Sequence, residues 1–145
     1  MNEEHPILGI DYGDARIGLA ITDLVGIMAH PLETIERKQI CEFERIETLV
    51  EQRNVRQIVV GLPLTMEGKE SASSIKVRKF VKELKVRLPA SLPIHFADER
   101  FTTVSAAQKL HQAGKNTKKQ KKLIDQAAAV EILTDWLNLQ TGDFF

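Results

Sequence analysis

Residues 7–23 read ILGIDYGDARIGLAITD, and this stretch decides the fold. ILGIDY (7–12) is apolar and β-prone, a strand that ends at Asp11–Tyr12. Gly13–Asp14 is a turn signal, and RIGLAITD (16–23) reads as a second strand. Two strands joined so tightly form a hairpin. Gly26 restarts the chain, and IMAHPLETI (27–35) reads as a third strand, in which Pro31 demands an edge or a bulge. An antiparallel meander therefore opens the domain.

Working outward, residues 38–53 carry Ile40, Phe43, Ile46, Leu49 and Val50 at helical spacing, with one mismatch at Glu47. RQIVVGLP (56–63) is a short apolar run stopped by Gly61 and Pro63, a buried central strand. The polar stretch TMEGKESASS (65–74) is a loop of the mobile or functional kind. Val77, Phe80, Val81, Leu84 and Leu88 share one face of a helix over 71–88 that Pro89 ends. PIHFAD (93–98) is a fifth strand, and TTVSAAQKLHQAG (102–114) is a helix between a Thr cap and Gly114. A last helix runs from 118 or 123 to 139. Three hairpin strands followed by two parallel crossover strands imply an α/β fold, a mixed sheet with helices on both faces. This order is the RNase H-like one, in one domain over 1–145.

Composition fits that picture and excludes others. The 145 residues are 43% hydrophobic and 28% charged, a globular balance rather than a disordered or fibrous one. Cys41 is the single cysteine, so neither an intrachain disulfide nor a thiolate zinc site is available. No apolar run approaches a membrane span, and the N-terminus lacks the basic and apolar regions of a secretory signal. The expectation is a reduced, cytoplasmic protein with no membrane partner. Net charge is zero but unevenly spread: residues 1–75 carry 7 Lys/Arg against 13 Asp/Glu, and residues 76–145 the reverse. A neutral chain with a basic half can still bind polyanions through one face.

Three positions carry the chemistry. Asp11 sits inside an apolar run at a strand end, where a carboxylate either starts the turn or is paired or metal-bound. Asp98 and Glu99 end the fifth strand and point to opposite faces, so one of them shares a face with Asp11. Asp125 lies on the stripe of Ala128, Ala129, Ile132 and Trp136, the helix face turned to the sheet, where small alanines permit close approach. A cluster of three carboxylates repels itself unless cations neutralise it. Hard oxygen donors suit Mg²⁺ or Mn²⁺, and two such ions about 4 Å apart support phosphodiester cleavage. Lys118, Lys119, Lys121 and Lys122 lie just ahead of Asp125, suited to gripping a nucleic-acid backbone. The histidines (His5, His30, His95, His111) are scattered, and His95 reads as a half-buried strand residue rather than a base. Aromatics are 6%, so base-stacking surfaces are sparse and a grip on nucleic acid rests on backbone and shape.

LGIDYGDARIGL (8–19), VGLPLTMEG (60–68), DERFTT (98–103) and KNTKKQKKLIDQAAAVEIL (115–133) together closely resemble the YqgF/RuvX family of bacterial proteins. The resemblance spans nearly the whole chain. It implies an RNase H-like fold related to RuvC-type resolvases. It implies a nuclease of pre-16S rRNA ends in ribosome biogenesis or, in the alternative, a Holliday junction resolvase. The substrate is then pre-rRNA or branched DNA, and the assembly a monomer or a homodimer. Residue by residue, the family's catalytic and metal-binding carboxylates fall on Asp11, Glu99 and Asp125. Its glycine and arginine after the first Asp fall on Gly13 and Arg16, and its GLP turn on Gly61, Leu62 and Pro63. Gly13 lets backbone approach a phosphate, and Arg16 or Arg100 can fork onto one or neutralise the acidic cluster.

Two other classes compete. DYGDARIG also resembles the first phosphate loop of actin-like ATPases, but those clasp ATP between two such domains and 145 residues supply one. A binding module that lost its activity would not be expected to keep all three carboxylates.

Overall fold

The computed structural model describes residues 4–99 and 117–141. The expected helix over 102–114 and Arg100 lie outside these residues. Within them the order is β1 (Ile7–Tyr12), β2 (Arg16–Thr22), β3 (Ala29–Glu36), α1 (Glu42–Gln52), β4 (Gln57–Leu62), α2 (Ala72–Arg87), β5 (Ile94–Asp98) and α3 (Lys118–Thr141). The five strands form one sheet in the order β3-β2-β1-β4-β5. β1, β2 and β3 pair antiparallel, whereas β4 and β5 extend the sheet in parallel with β1. The expected bulge is real: the β2–β3 register shifts at Leu19/Ala20, where Pro31 faces Ala20 on the edge strand. No described helix is long and apolar enough to cross a membrane.

Most boundaries move by a residue or two, and one moves further. The helix expected over 38–53 starts at Glu42 with Cys41 as its N-cap. Ile40 fits the helical period but lies before the helix and stays exposed. Residues 37–40 instead form a turn in which the N–H groups of Gln39 and Ile40 both bond back to the Glu36 carbonyl. The third strand starts at Ala29 rather than residue 27, because Asp23 folds residues 23–28 into a closed turn. The loop after β4 is more ordered than its composition suggests. Ser71 and Ser74 form a reciprocal capping box that starts α2, and Ser71 also bonds the Pro63 carbonyl.

Two cores lie on the two faces of the sheet. Leu8, Ile10, Ile17, Leu19, Ile58 and Val60 pack against Ile46 and Leu49 of α1 and Val77, Phe80, Val81 and Leu84 of α2. On the other face, Ile7, Ala20, Val59 and Ala97 meet Ala128, Ala129, Ile132 and Leu133 of α3. That second face is paved with small residues because α3 lies almost on the backbone. A Cβ on Gly18 would stand 2.0 Å from the Asp125 carbonyl oxygen, and one on Gly9 would stand 2.4 Å from Leu133 Cγ. At Gly61 the obstacles are the tips of Ile132 and Glu99, at 2.7 and 2.8 Å.

These contacts rank two substitutions. Gly18→Ala forces helix backbone off the sheet and should cost roughly 3 kcal/mol, the upper end of overpacking. Gly61→Ala meets only side-chain ends and should cost about 1 kcal/mol. Urea unfolding of the two variants beside the parent protein measures the order, and equal losses would contradict the close crossing of α3 at Gly18.

Candidate active site

The side-chain alternation of the strands settles which carboxylates meet. In β1, Leu8 and Ile10 face α1 and α2, while Ile7 faces α3, so Asp11 falls on the α3 side. In β5, Phe96 packs with the first core, whereas Ala97 and His95 lie toward α3. Asp98 therefore shares the face of Phe96, and Glu99 shares the face of Asp11. The contact at Gly61 agrees independently: Glu99 Oε1 and Ile132 of α3 both overlie this glycine. Asp125 completes the arrangement through Gly18, which is the register partner of Asp11 and lies directly beneath the Asp125 backbone. All three carboxylates thus belong to one end of the sheet, where β1, β4 and β5 finish.

Their electrostatics follow from that placement. Burial pushes the Asp11 carboxyl up to about 7 from 3.8, and the negative charge of Asp125 adds to the shift. Burial also pushes Glu99 up to about 7 from 4.5, helped by Asp11 and then Asp98. Asp125 is held differently: its Oδ2 accepts a 2.7 Å bond from Arg16 Nε, a half-buried, charge-assisted pair. Of the two roles open to Arg16, neutralising the acidic cluster is the one it fills here. Among the described residues, no three His, Cys, Asp or Glu side chains are arranged to hold a metal ion as they stand. The donor set fits one chemically, since Asp11 and Glu99 are hard oxygen donors whose mutual repulsion a divalent cation would relieve.

The neighbours divide into two groups. Gly13 needs its missing Cβ inside the hairpin itself, because one would lie 2.6 Å from the Arg16 carbonyl oxygen. The turn it makes is clamped by Arg37, a residue to which no sequence spacing points. Arg37 Nη1 donates to the carbonyls of Gly13 (3.1 Å) and Asp14 (2.9 Å), and its guanidinium lies 4.8 Å over the Tyr12 ring. Lys118, Lys119, Lys121 and Lys122 form the opening turns of α3, with the first two exposed and the others half-buried. Lys122 Nζ comes within 3.9 Å of Glu36. Cations at a helix N-terminus oppose its dipole by about 0.3–1 kcal/mol each. The turn forms nonetheless because Thr117 and Gln120 cap each other, with bonds of 2.9 and 3.2 Å. Arg100 lies outside the described residues. His95 is the strand residue expected, stacked on Trp136 at 5.0 Å and bonded to Gln57.

The raised carboxyls make stability depend on pH. Between the ordinary carboxylate range and about pH 7, the folded chain holds protons that the unfolded chain has released. In a chelating buffer the melting temperature should therefore fall as pH rises from about 5 to about 8. Asp11→Asn removes the repulsion and should flatten that fall, leaving the variant at least ~3 °C more stable near pH 8. Scanning calorimetry across that window decides, and a parent profile that rises with pH would contradict the burial of Asp11.

Comparison with known proteins agrees with this geometry. A family model, "RuvX: Holliday junction resolvase", matches residues 5–139. A protein of Mycobacteroides abscessus named "Putative pre-16S rRNA nuclease" is 44% identical over 132 residues, covering 90% of this chain and 79% of that one. A Streptomyces avermitilis protein of the same name is 44% identical over 127 residues, covering 87% and 81%. Among solved structures, Thermus thermophilus RuvC matches with a TM-score of 0.55 at 16% identity, over 95% of this chain and 97% of that one. RuvC in complex with a Holliday junction substrate gives 0.57 over the same shares. At that identity the likeness is one of fold, the RNase H-like arrangement read from the element order. With a family model spanning the described sheet and its last helix, the chain belongs to the RuvX family.

Proposed function

We propose that this protein is a hydrolase of nucleic acid, a divalent-metal-dependent nuclease that processes the end of pre-16S rRNA. The observation that carries the reading is the meeting of Asp11 and Glu99 on the face crossed by Asp125, with both raised to about 7. Buried carboxyls that repel one another are unfavourable for folding alone and useful for holding cations. The names of the relatives supply the RNA substrate, and the family description supplies the branched-DNA alternative.

In this mechanism Asp11, Glu99 and Asp125 hold Mg²⁺ or Mn²⁺. When bound, the metal supplies Lewis-acid stabilisation of the phosphoryl oxygens and an acidified water. Asp11 and Glu99 each give up a proton on binding, so cation affinity rises through neutral pH. Arg16 fixes the Asp125 carboxylate and limits the charge the cluster carries before the cation arrives. The Arg37-clamped turn at Gly13–Asp14 keeps the chain after Asp11 in one conformation. Lys118, Lys119, Lys121 and Lys122 hold the phosphate backbone beside the carboxylates, an attraction confined to about 10 Å at 0.1 M salt.

Parallel incubation of the purified protein with Mg²⁺ or Mn²⁺ tests the substrate, using 16S precursor ends, a four-way DNA junction and generic single strands. Metal-dependent cleavage of the precursor is expected; cleavage confined to the junction would reassign the protein to DNA. Asp11→Asn should abolish cleavage while keeping RNA affinity within about twofold, because the lysines that grip the backbone are untouched. Full cleavage by the folded variant would sink the metal-nuclease reading. Changing the four lysines to Gln should weaken binding to every sequence. It should also flatten the salt dependence by roughly 0.7 in log K per log salt for each single-strand phosphate that a lysine no longer neutralises. An unchanged slope would leave those lysines as solvated surface.

A further inference from the structure

The turn between β2 and β3 is built unlike an ordinary surface loop. Its one charged residue, Asp23, works inward: the carboxylate accepts from the N–H groups of Ile27 (2.9 Å) and Met28 (3.2 Å). The Asp23 carbonyl accepts from Gly26 N–H, and its own N–H donates to the Met28 carbonyl, both at 3.1 Å. Gly26 takes a φ of 73°, and the His5 ring packs so closely that a Cβ there would meet it at 2.2 Å. His5 is fixed in turn by Thr22 Oγ1 at 3.0 Å. What this locked turn holds outward is entirely apolar: Leu24 is 63% exposed, Val25 60%, Ile27 75% and Met28 58%. Turns are ordinarily polar. These four side chains expose roughly 400 Å² of apolar surface, the size of the largest patch on a typical monomer. Beside them opens a cavity of about 410 Å³ that has Val25 and Gly26 on its rim and Ile7, Trp136 and Leu137 in its wall.

We propose that this turn and the cavity beside it form a self-complementary face that binds a second copy of the chain. Association about a two-fold axis requires one patch to carry both the protruding and the receiving feature. Here an apolar knob and a hole with apolar walls lie side by side and share Val25. Residues 24–28 bear no charge, so no like charges of the knob meet across the axis. Because the turn is locked before association, little ordering opposes binding. Two such patches with the cavity rims amount to roughly 1,000–1,200 Å², the lower limit of specific interfaces, so the dimer is a weak and reversible one. Asp11 and Glu99 lie at the opposite end of the sheet, since β2 ends at Thr22 beside the start of β1. The pair therefore points its two catalytic ends away from each other, and each end acts alone.

Sedimentation equilibrium of the full chain from roughly 1 to 300 µM tests the proposal. It should show monomer and dimer exchanging with a dissociation constant of about 10–100 µM. Ile27→Asp on the knob and, separately, Val25→Lys on the rim should each weaken association at least ~tenfold with circular dichroism unchanged. Val86→Asp, at an 83% exposed site on α2, should leave it as it was. A parent chain that stays monomeric at the highest concentration overturns the proposal and leaves the turn to a partner of another kind. A dimer that survives both substitutions overturns it too, by placing the interface elsewhere.

Discussion

The crossing of α3 over the sheet is the constraint on which the rest depends. With Gly18 beneath the Asp125 carbonyl and Gly9 beneath Leu133, the helix approaches as near as backbone allows. A helix standing off by one ordinary side-chain layer would hold Asp125 several ångströms above Asp11, beyond the reach of one cation. The alanines at 128 and 129 and the glycines of β1, β2 and β4 are thus parts of the site, although none of them bears a functional group. Close packing fixes their size as firmly as chemistry fixes the carboxylates.

That proximity sets up an electrostatic conflict which the chain resolves only in part. Arg16 takes Asp125, but Asp11 and Glu99 face one another with their carboxyls pushed to about 7. A fold selected for stability alone would place apolar residues there, as it does at Ile7 and Val59 along the same face. Unresolved repulsion at the end of a well-packed sheet is the mark of a functional site rather than a structural pair.

Much of this was legible in the sequence, because strands and helices announce themselves by period. The hairpin, the sheet-facing stripe of Asp125 and the globular composition all follow from residues that are neighbours in the chain. The choice between Asp98 and Glu99 was not legible, since the strand alternates without a polar face to mark it. Ala97 and His95 settle it by lying against α3, a contact that only the folded chain makes. Arg37 was invisible for another reason: its partners lie 23 and 24 residues away, and no local rule predicts so distant a clamp. Ile40 misled because apolar spacing extends back past the helix start, where the backbone is still in a turn.

The division of charge along the chain gains a physical meaning from the same crossing. The acidic first half contributes Asp11, and the basic second half contributes the lysines that open α3. Because α3 returns to β2 and β3 at its N-terminal end, through Asp125 over Gly18 and Lys122 beside Thr34 and Glu36, both signs arrive at one end of the sheet. Beyond a Debye length the chain is neutral and exerts little pull on polyanions. Within it, a basic helix start stands next to carboxylates, so a phosphate is attracted by the lysines and repelled by the acids until cations occupy them. Substrate and metal then bind with positive coupling, each lowering the electrostatic cost of the other.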